Sequence, residues 1–107
     1  MTDEAPPAGD TALRALRNIG PAAYRDLAFL GIVDRAQLAL CEPDTLYRRL
    51  CVETGVRHDP CVHDVFASAI HQARTGEACD WWHFTPGRKE RQKNGSFVSL
   101  PETVRNS

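Results

Sequence analysis

The stretch LRALRNIGPAAYRDLAFLGI, residues 13–32, decides the fold. Leu13 and Leu16 stand three apart, the spacing of a helix that buries one stripe. Asn18 and Gly20 flank Ile19, and both residue types enter the left-handed region with little strain, so the chain can reverse here. Pro21 suits the first position of a new helix, where its fixed φ is helix-ready and its missing N–H would have had no partner. Tyr24, Leu27 and Ala28 continue the apolar stripe, and Gly31 stops it before Ile32 returns to the core. The stretch reads as a helix, a tight turn and a second helix, with the second helix running from Pro21 to about Leu30.

A turn of this kind can expose chemistry. The first N–H groups of the second helix lack intrahelical acceptors and sit at the positive end of its dipole. Gly20, Ala22 and Ala23 can present such donors to an anion, and their small side chains permit close approach. A nucleic-acid phosphate fits that geometry and carries no sequence information. The expected contact set is Arg14, Arg17, Asn18, Ile19, Gly20, Pro21, Ala22, Ala23 and Arg25. The arginines add charge and Asn18 shapes the turn, while Asp26 opposes an anion. A plain helical hairpin whose turn binds nothing is the competing reading.

Working outward, Asp10 or Thr11 caps the first helix, which is expected to reach about Arg17. Asp34 caps a short helix, DRAQLALC, with Ala36, Leu38 and Leu40 among its apolar residues. Pro43 starts another, PDTLYRRLCVET, in which Leu46, Tyr47, Leu50 and Cys51 share a face and Gly55 ends the run. Asp59-Pro60 opens the longest helix, which closes at Gly76. Its Val62, Val65, Phe66, Ala69, Ile70 and Ala73 recur with helical period, making it the expected central helix. The loop around Thr54-Gly55-Val56 repeats the logic of the first hairpin in degenerate form. The fold class expected is therefore all-α, about five short helices containing a helix-hairpin-helix; a structural second hairpin as a pseudo-duplicate of the first is one reading of the later helices, and a third hairpin helix packing differently is the other.

Cys79-Asp80-Trp81-Trp82-His83-Phe84 gathers both tryptophans and a phenylalanine into six residues. The reading taken is an aromatic C-terminal flap that closes a small core; a stacking platform for a base is the alternative. The organisation expected is a disordered acidic arm at residues 1–9, a domain at 10–85, and a disordered, partly basic tail at 86–107.

Composition sets outer bounds. With 107 residues the chain holds at most one domain, and 42% hydrophobic content supplies a small core. No apolar run is long enough for a signal peptide or a spanning helix, so a cytoplasmic location is expected. The net charge is −1, with eight arginines against seven acids over residues 11–76. Without a large basic field, DNA affinity would rest on a few phosphate contacts, in the ~10⁻⁴–10⁻⁶ M range of non-specific binding. Cys41, Cys51, Cys61 and Cys79 form no C-x-x-C pair and read as small hydrophobes. A zinc site from His58, Cys61, His63, Cys79 and His83 is conceivable, but Cys61 and His63 point to different helix faces, so no metal is expected. No cofactor loop, nucleophile elbow or metal-binding helix pair is present, and no enzyme is expected.

The runs LRNIGP (16–21) and LAFLGIVDRAQL (27–38) resemble helix-hairpin-helix domains, in particular the C-terminal domain of TfoX-type competence regulators. LYRRLC (46–51) and DWWH (80–83) resemble the bacterial pathogenicity-locus family, whose members are often labelled mitomycin-resistance proteins. The resemblance spans roughly residues 11–84 and implies a helix-hairpin-helix fold and DNA binding. Two departures stand out. Arg17-Asn18 replaces the usual Pro-Gly, and Ala22-Ala23 stands where a lysine usually follows the second glycine. The expected role is thus a non-catalytic module binding DNA weakly and without sequence specificity. A protein-interaction module anchored on Trp82 or on Phe97 to Leu100 is the alternative. A drug-binding role would rest on family labels alone.

Overall fold

The computed structural model describes residues 13–105, which form an all-α domain. Five α-helices follow in order: α1 Pro21–Phe29, α2 Arg35–Ala39, α3 Pro43–Thr54, α4 Cys61–Thr75 and α5 Thr85–Asn94. A 3-10 turn, Trp81–Phe84, stands between the last two. No strand occurs among the described residues, and one isolated bridge pairs Val56 with Arg105. No helix among them is long and apolar enough to cross a membrane. The acidic arm at 1–9 and the Asp10 or Thr11 cap lie outside the described residues.

Helices α1 to α4 each start or stop at a residue whose chemistry favours it. Pro21 and Pro43 occupy the first positions of α1 and α3. Asp34 Oδ1 accepts from the Gln37 N–H at 2.8 Å and so caps α2. Gly55 and Gly76 close α3 and α4 in the left-handed conformation, at φ 76° and 82°. The stripe Leu46, Tyr47, Leu50 and Cys51 of α3 is buried against α4, which contributes Phe66, Ala69 and Ile70. Leu13, Leu16, Ile19, Leu27, Leu30 and Leu38 complete the same core. At roughly 1.5–3 kcal/mol for each large aliphatic side chain fully withdrawn from water, this core is the main stabilising term.

The first hairpin differs from expectation in its details. Residues 13 and 14 are helical, but the chain then turns instead of continuing to Arg17. The Arg17 N–H leaves the helical ladder and donates to Gln72 Oε1 of α4 at 2.8 Å. Of the two residues flanking Ile19, Asn18 alone takes a positive φ, 74°. Gly20 is extended, with φ −86° and ψ −176°, as the N-cap of α1.

The C-terminal segment departs most from the sequence reading. The span 86–107 was expected to be disordered, yet α5 covers Thr85–Asn94 and the chain continues over the core to Arg105. Arg88 of α5 pairs with the buried Asp64 of α4, and Arg91 grips both oxygens of Asp44 at 3.0 and 2.6 Å. After Gly95, Phe97 packs its ring 5.7 Å from Tyr47 and 5.0 Å from His63, centroid to centroid. Arg105 then donates its N–H to Gly55 O at 2.9 Å, and its carbonyl accepts from the Arg57 N–H at 2.6 Å. The folded unit thus extends past residue 85, and Arg105 is hydrogen-bonded to the loop joining α3 to α4.

The aromatic run forms the 3-10 turn packed on α4 and α5. Trp81 is half-buried and Trp82 is 54% exposed, the rings meeting edge to face at 5.7 Å. Adjacent tryptophans on one short turn cannot share the same interior.

Candidate nucleic-acid interface

The start of α1 is open. No side chain caps it, and Gly20, Pro21 and Ala22 are exposed while Ala23 is half-buried. The first backbone bond of the helix is Tyr24 N–H to Gly20 O, at 2.9 Å. The N–H groups of Ala22 and Ala23 therefore precede the first closed turn, at the positive end of the dipole. A Cβ built on Gly20 would meet no atom within 4 Å, so there is open space beside the helix start.

The two flanks of this turn differ in charge. On one side a concavity of about 420 Å³ is lined by Arg14, Ile19, Gly20, Pro21, Tyr24 and Arg25. The Arg14 guanidinium lies 4.3 Å from the centre of the Tyr24 ring, a cation–π contact that fixes its position beside the turn. Arg25 is exposed. On the other side, a hollow of about 300 Å³ is lined by Asn18, Ala22, Ala23, Asp26, Val62 and Val65 together with Gly20 and Pro21. Burial raises the Asp26 carboxyl above its ordinary value, partly offset by His58 and Arg25. Two guanidinium groups thus border the turn on one side and the Asp26 carboxyl on the other.

Three of the expected contact residues also make contacts within the fold. The Arg17 guanidinium pairs with Asp80 at 3.2 Å, so its charge is shared with the aromatic segment. The Asn18 amide donates to Ser68 Oγ and to Cys79 O, both at 2.8 Å, which locks the turn onto α4. Ile19 is 8% exposed and its side chain belongs to the core. Arg14, Gly20, Pro21, Ala22, Ala23 and Arg25 remain together at one surface.

The residues weighed for zinc do not assemble. His58 Nε2 lies 2.8 Å from Thr54 Oγ1, and His63 Nε2 lies 2.7 Å from Asp44 Oδ1. Burial and the neighbouring Asp59 raise the Cys61 thiol above its ordinary value, which disfavours the thiolate that a metal requires.

A second charged cluster was not anticipated. Asp44, His63 and Arg91 line a hollow of about 440 Å³ with Glu42, Pro43 and Thr45. The Arg91 hydrogen bonds, with a smaller contribution from His63, hold Asp44 down at about 2. His63 Nδ1 is buried with no hydrogen-bond partner among the described residues, 4.0 Å from Asp64 Oδ1. Both Asp44 oxygens are occupied by these neighbours, so the cluster serves to fasten α5. Nothing in the helical periodicity of α5 signals it, because its contacts run through charged side chains.

The chain is 42% identical over 77 residues to a protein named mitomycin resistance protein McrB, from Streptomyces lavendulae. The match covers 72% of this chain and 73% of that protein. No solved structure matches. The family model described as Cdd1, pathogenicity locus, matches residues 8–90, a span that includes the hairpin, the core helices and the aromatic turn. The chain belongs to the Cdd1 pathogenicity-locus family.

Proposed function

We propose that this protein is a non-catalytic module that holds duplex DNA weakly and without sequence preference. The observation that carries the reading is the uncapped, exposed start of α1 beside Arg14 and Arg25. Backbone donors there take one phosphate oxygen, and the two guanidinium groups supply charge to it and its neighbours. Few phosphates are engaged, so affinity falls with salt along a shallow slope of about −1 to −3. Fluorescence anisotropy of a labelled duplex at two salt concentrations tests this. Equal affinity for unrelated sequences, weakening as salt rises, is expected; binding that ignores salt removes the phosphate reading.

A protein partner is the second reading, favoured by exposed large apolar side chains. Leu40 is 85% exposed and Trp82 54%, and such residues anchor interfaces when a partner withdraws them from water. Phe97, Val98 and Leu100 are half-buried against the chain's own core, which favours Trp82 over that segment as the anchor.

A further inference from the structure

Away from the hairpin turn, the end of α4 and the loop after it gather three metal-ligating side chains. His71 Nε2 lies 2.7 Å from Glu77 Oε1, and Cys79 Sγ joins them so that all three donor atoms lie within 4.8 Å of one another. The helix ending creates this arrangement. Gly76, at φ 82°, reverses the chain and brings residues 77–79 back over the last turn of α4. Thr75 Oγ1 donates to His71 O at 2.8 Å and accepts from the Glu77 N–H at 3.0 Å, tying the two ligands' backbones together. The Cys79 carbonyl is held by Asn18 Nδ2 at 2.8 Å and Ser68 Oγ at 2.7 Å. The backbone around each ligand is thus fixed by hydrogen bonds before any ion arrives, the preorganisation that metal sites require. Of these three residues, the sequence reading of possible zinc ligands included Cys79 alone, because His71 and Glu77 reach it only through the Gly76 reversal.

We propose that His71, Glu77 and Cys79 form a three-ligand site for a zinc-class divalent cation, with a fourth position open to water. One imidazole nitrogen, one carboxylate oxygen and one thiolate suit a borderline-soft ion and disfavour magnesium and calcium. The two anionic ligands balance the dication. Tetrahedral zinc bonds of about 2.0–2.3 Å place donors roughly 3.3–3.8 Å apart, so side-chain rotation has only to part the His71–Glu77 pair slightly and bring the set of three within that range. His71 and Cys79 are half-buried and Glu77 is exposed, which leaves the ion a path from solvent. Binding replaces the His71–Glu77 hydrogen bond, the imidazole then carrying its one proton on Nδ1 so that Nε2 is free to ligate, and releases the Cys79 thiol proton to solvent. Because the Cys79 carbonyl anchors Asn18, the ion also stiffens the support beneath the hairpin turn. This inference stands apart from the DNA reading and survives its failure.

Cobalt(II) titration of the full chain, purified without an affinity tag, tests the site. One equivalent is expected to bind with a thiolate-to-cobalt charge-transfer band that zinc displaces. Zinc is expected to raise the melting temperature and to shield Cys79 from alkylation while Cys41 and Cys61 react as before. Cys79→Ser should abolish the band, and His71→Ala or Glu77→Gln should weaken cobalt binding at least tenfold. Should Cys79→Ser fail to fold, the alkylation footprint of the unaltered chain with and without zinc decides the matter. A missing thiolate band, a band indifferent to His71→Ala and Glu77→Gln, or a Cys79 equally reactive with zinc present would overturn the proposal.

Discussion

Arg88 Nη2 stands 2.8 Å from Asp64 Oδ2, and Arg88 Nε lies 3.2 and 3.3 Å from the two carboxylate oxygens. Thr85 Oγ1 donates to the same carboxylate at 2.8 Å. Asp64 is fully buried and Arg88 is 7% exposed, so this pair is the interior fastening between α5 and α4. Removing one partner strands a charge in the core. Arg88→Ala is expected to lower stability by about 3–5 kcal/mol. The double replacement Asp64→Leu with Arg88→Met is expected to be far milder, since neither charge is then left behind. Urea unfolding of the two variants checks this.

Asp44 makes the second fastening and gives it a pH signature. Its pKa is lowered from 3.8 to about 2, chiefly by the Arg91 hydrogen bonds. A carboxyl depressed in the folded state stabilises the fold above its unfolded value and loses that contribution as pH falls through the folded one. The melting temperature should therefore drop between pH 3.8 and about 2. The drop should be smaller in Asp44→Asn and in Arg91→Gln. The side chain of Asp44 is 45% exposed, so solvent screening keeps the effect modest.

Asn18 carries two demands at once, a positive φ and two amide hydrogen bonds. Asn18→Ala fails both and is expected to cost about 2 kcal/mol. Asn18→Gly meets the backbone demand alone and should cost about half as much. Thermal unfolding of both variants orders them.

These fastenings explain which parts of the fold are legible in the sequence. The apolar stripe of α3 and the long period of α4 announce themselves, and Leu46, Tyr47, Leu50, Phe66, Ala69 and Ile70 are buried as that pattern requires. The stops at Gly55 and Gly76 are equally plain. Helix α5, TPGRKERQKN, contains no large apolar residue, and it packs through Arg88 and Arg91 onto acids of other helices. Hydrophobic periodicity cannot register a helix held by ion pairs. Phe97, Val98 and Leu100 carry a faint signal, but the rings that Phe97 meets, Tyr47 and His63, lie far back in the chain. At the hairpin, backbone placement could be read from Gly20 and Pro21. The inward turn of Asn18 and the pairing of Arg17 with Asp80 depend on residues fifty or more positions away.

The most direct test of the phosphate-binding claim places a negative charge at Gly20. Its φ of −86° suits any residue and a Cβ there meets nothing, so Gly20→Asp changes charge without displacing structure. An aspartate at this N-cap also satisfies a free N–H of α1, so the melting temperature should hold or rise slightly. Duplex affinity, measured by anisotropy beside a Gly20→Ala control, should fall about tenfold or more in the aspartate variant, as an anion would be repelled from the helix start. Affinity equal in Gly20→Asp, Gly20→Ala and the unaltered chain would contradict the account.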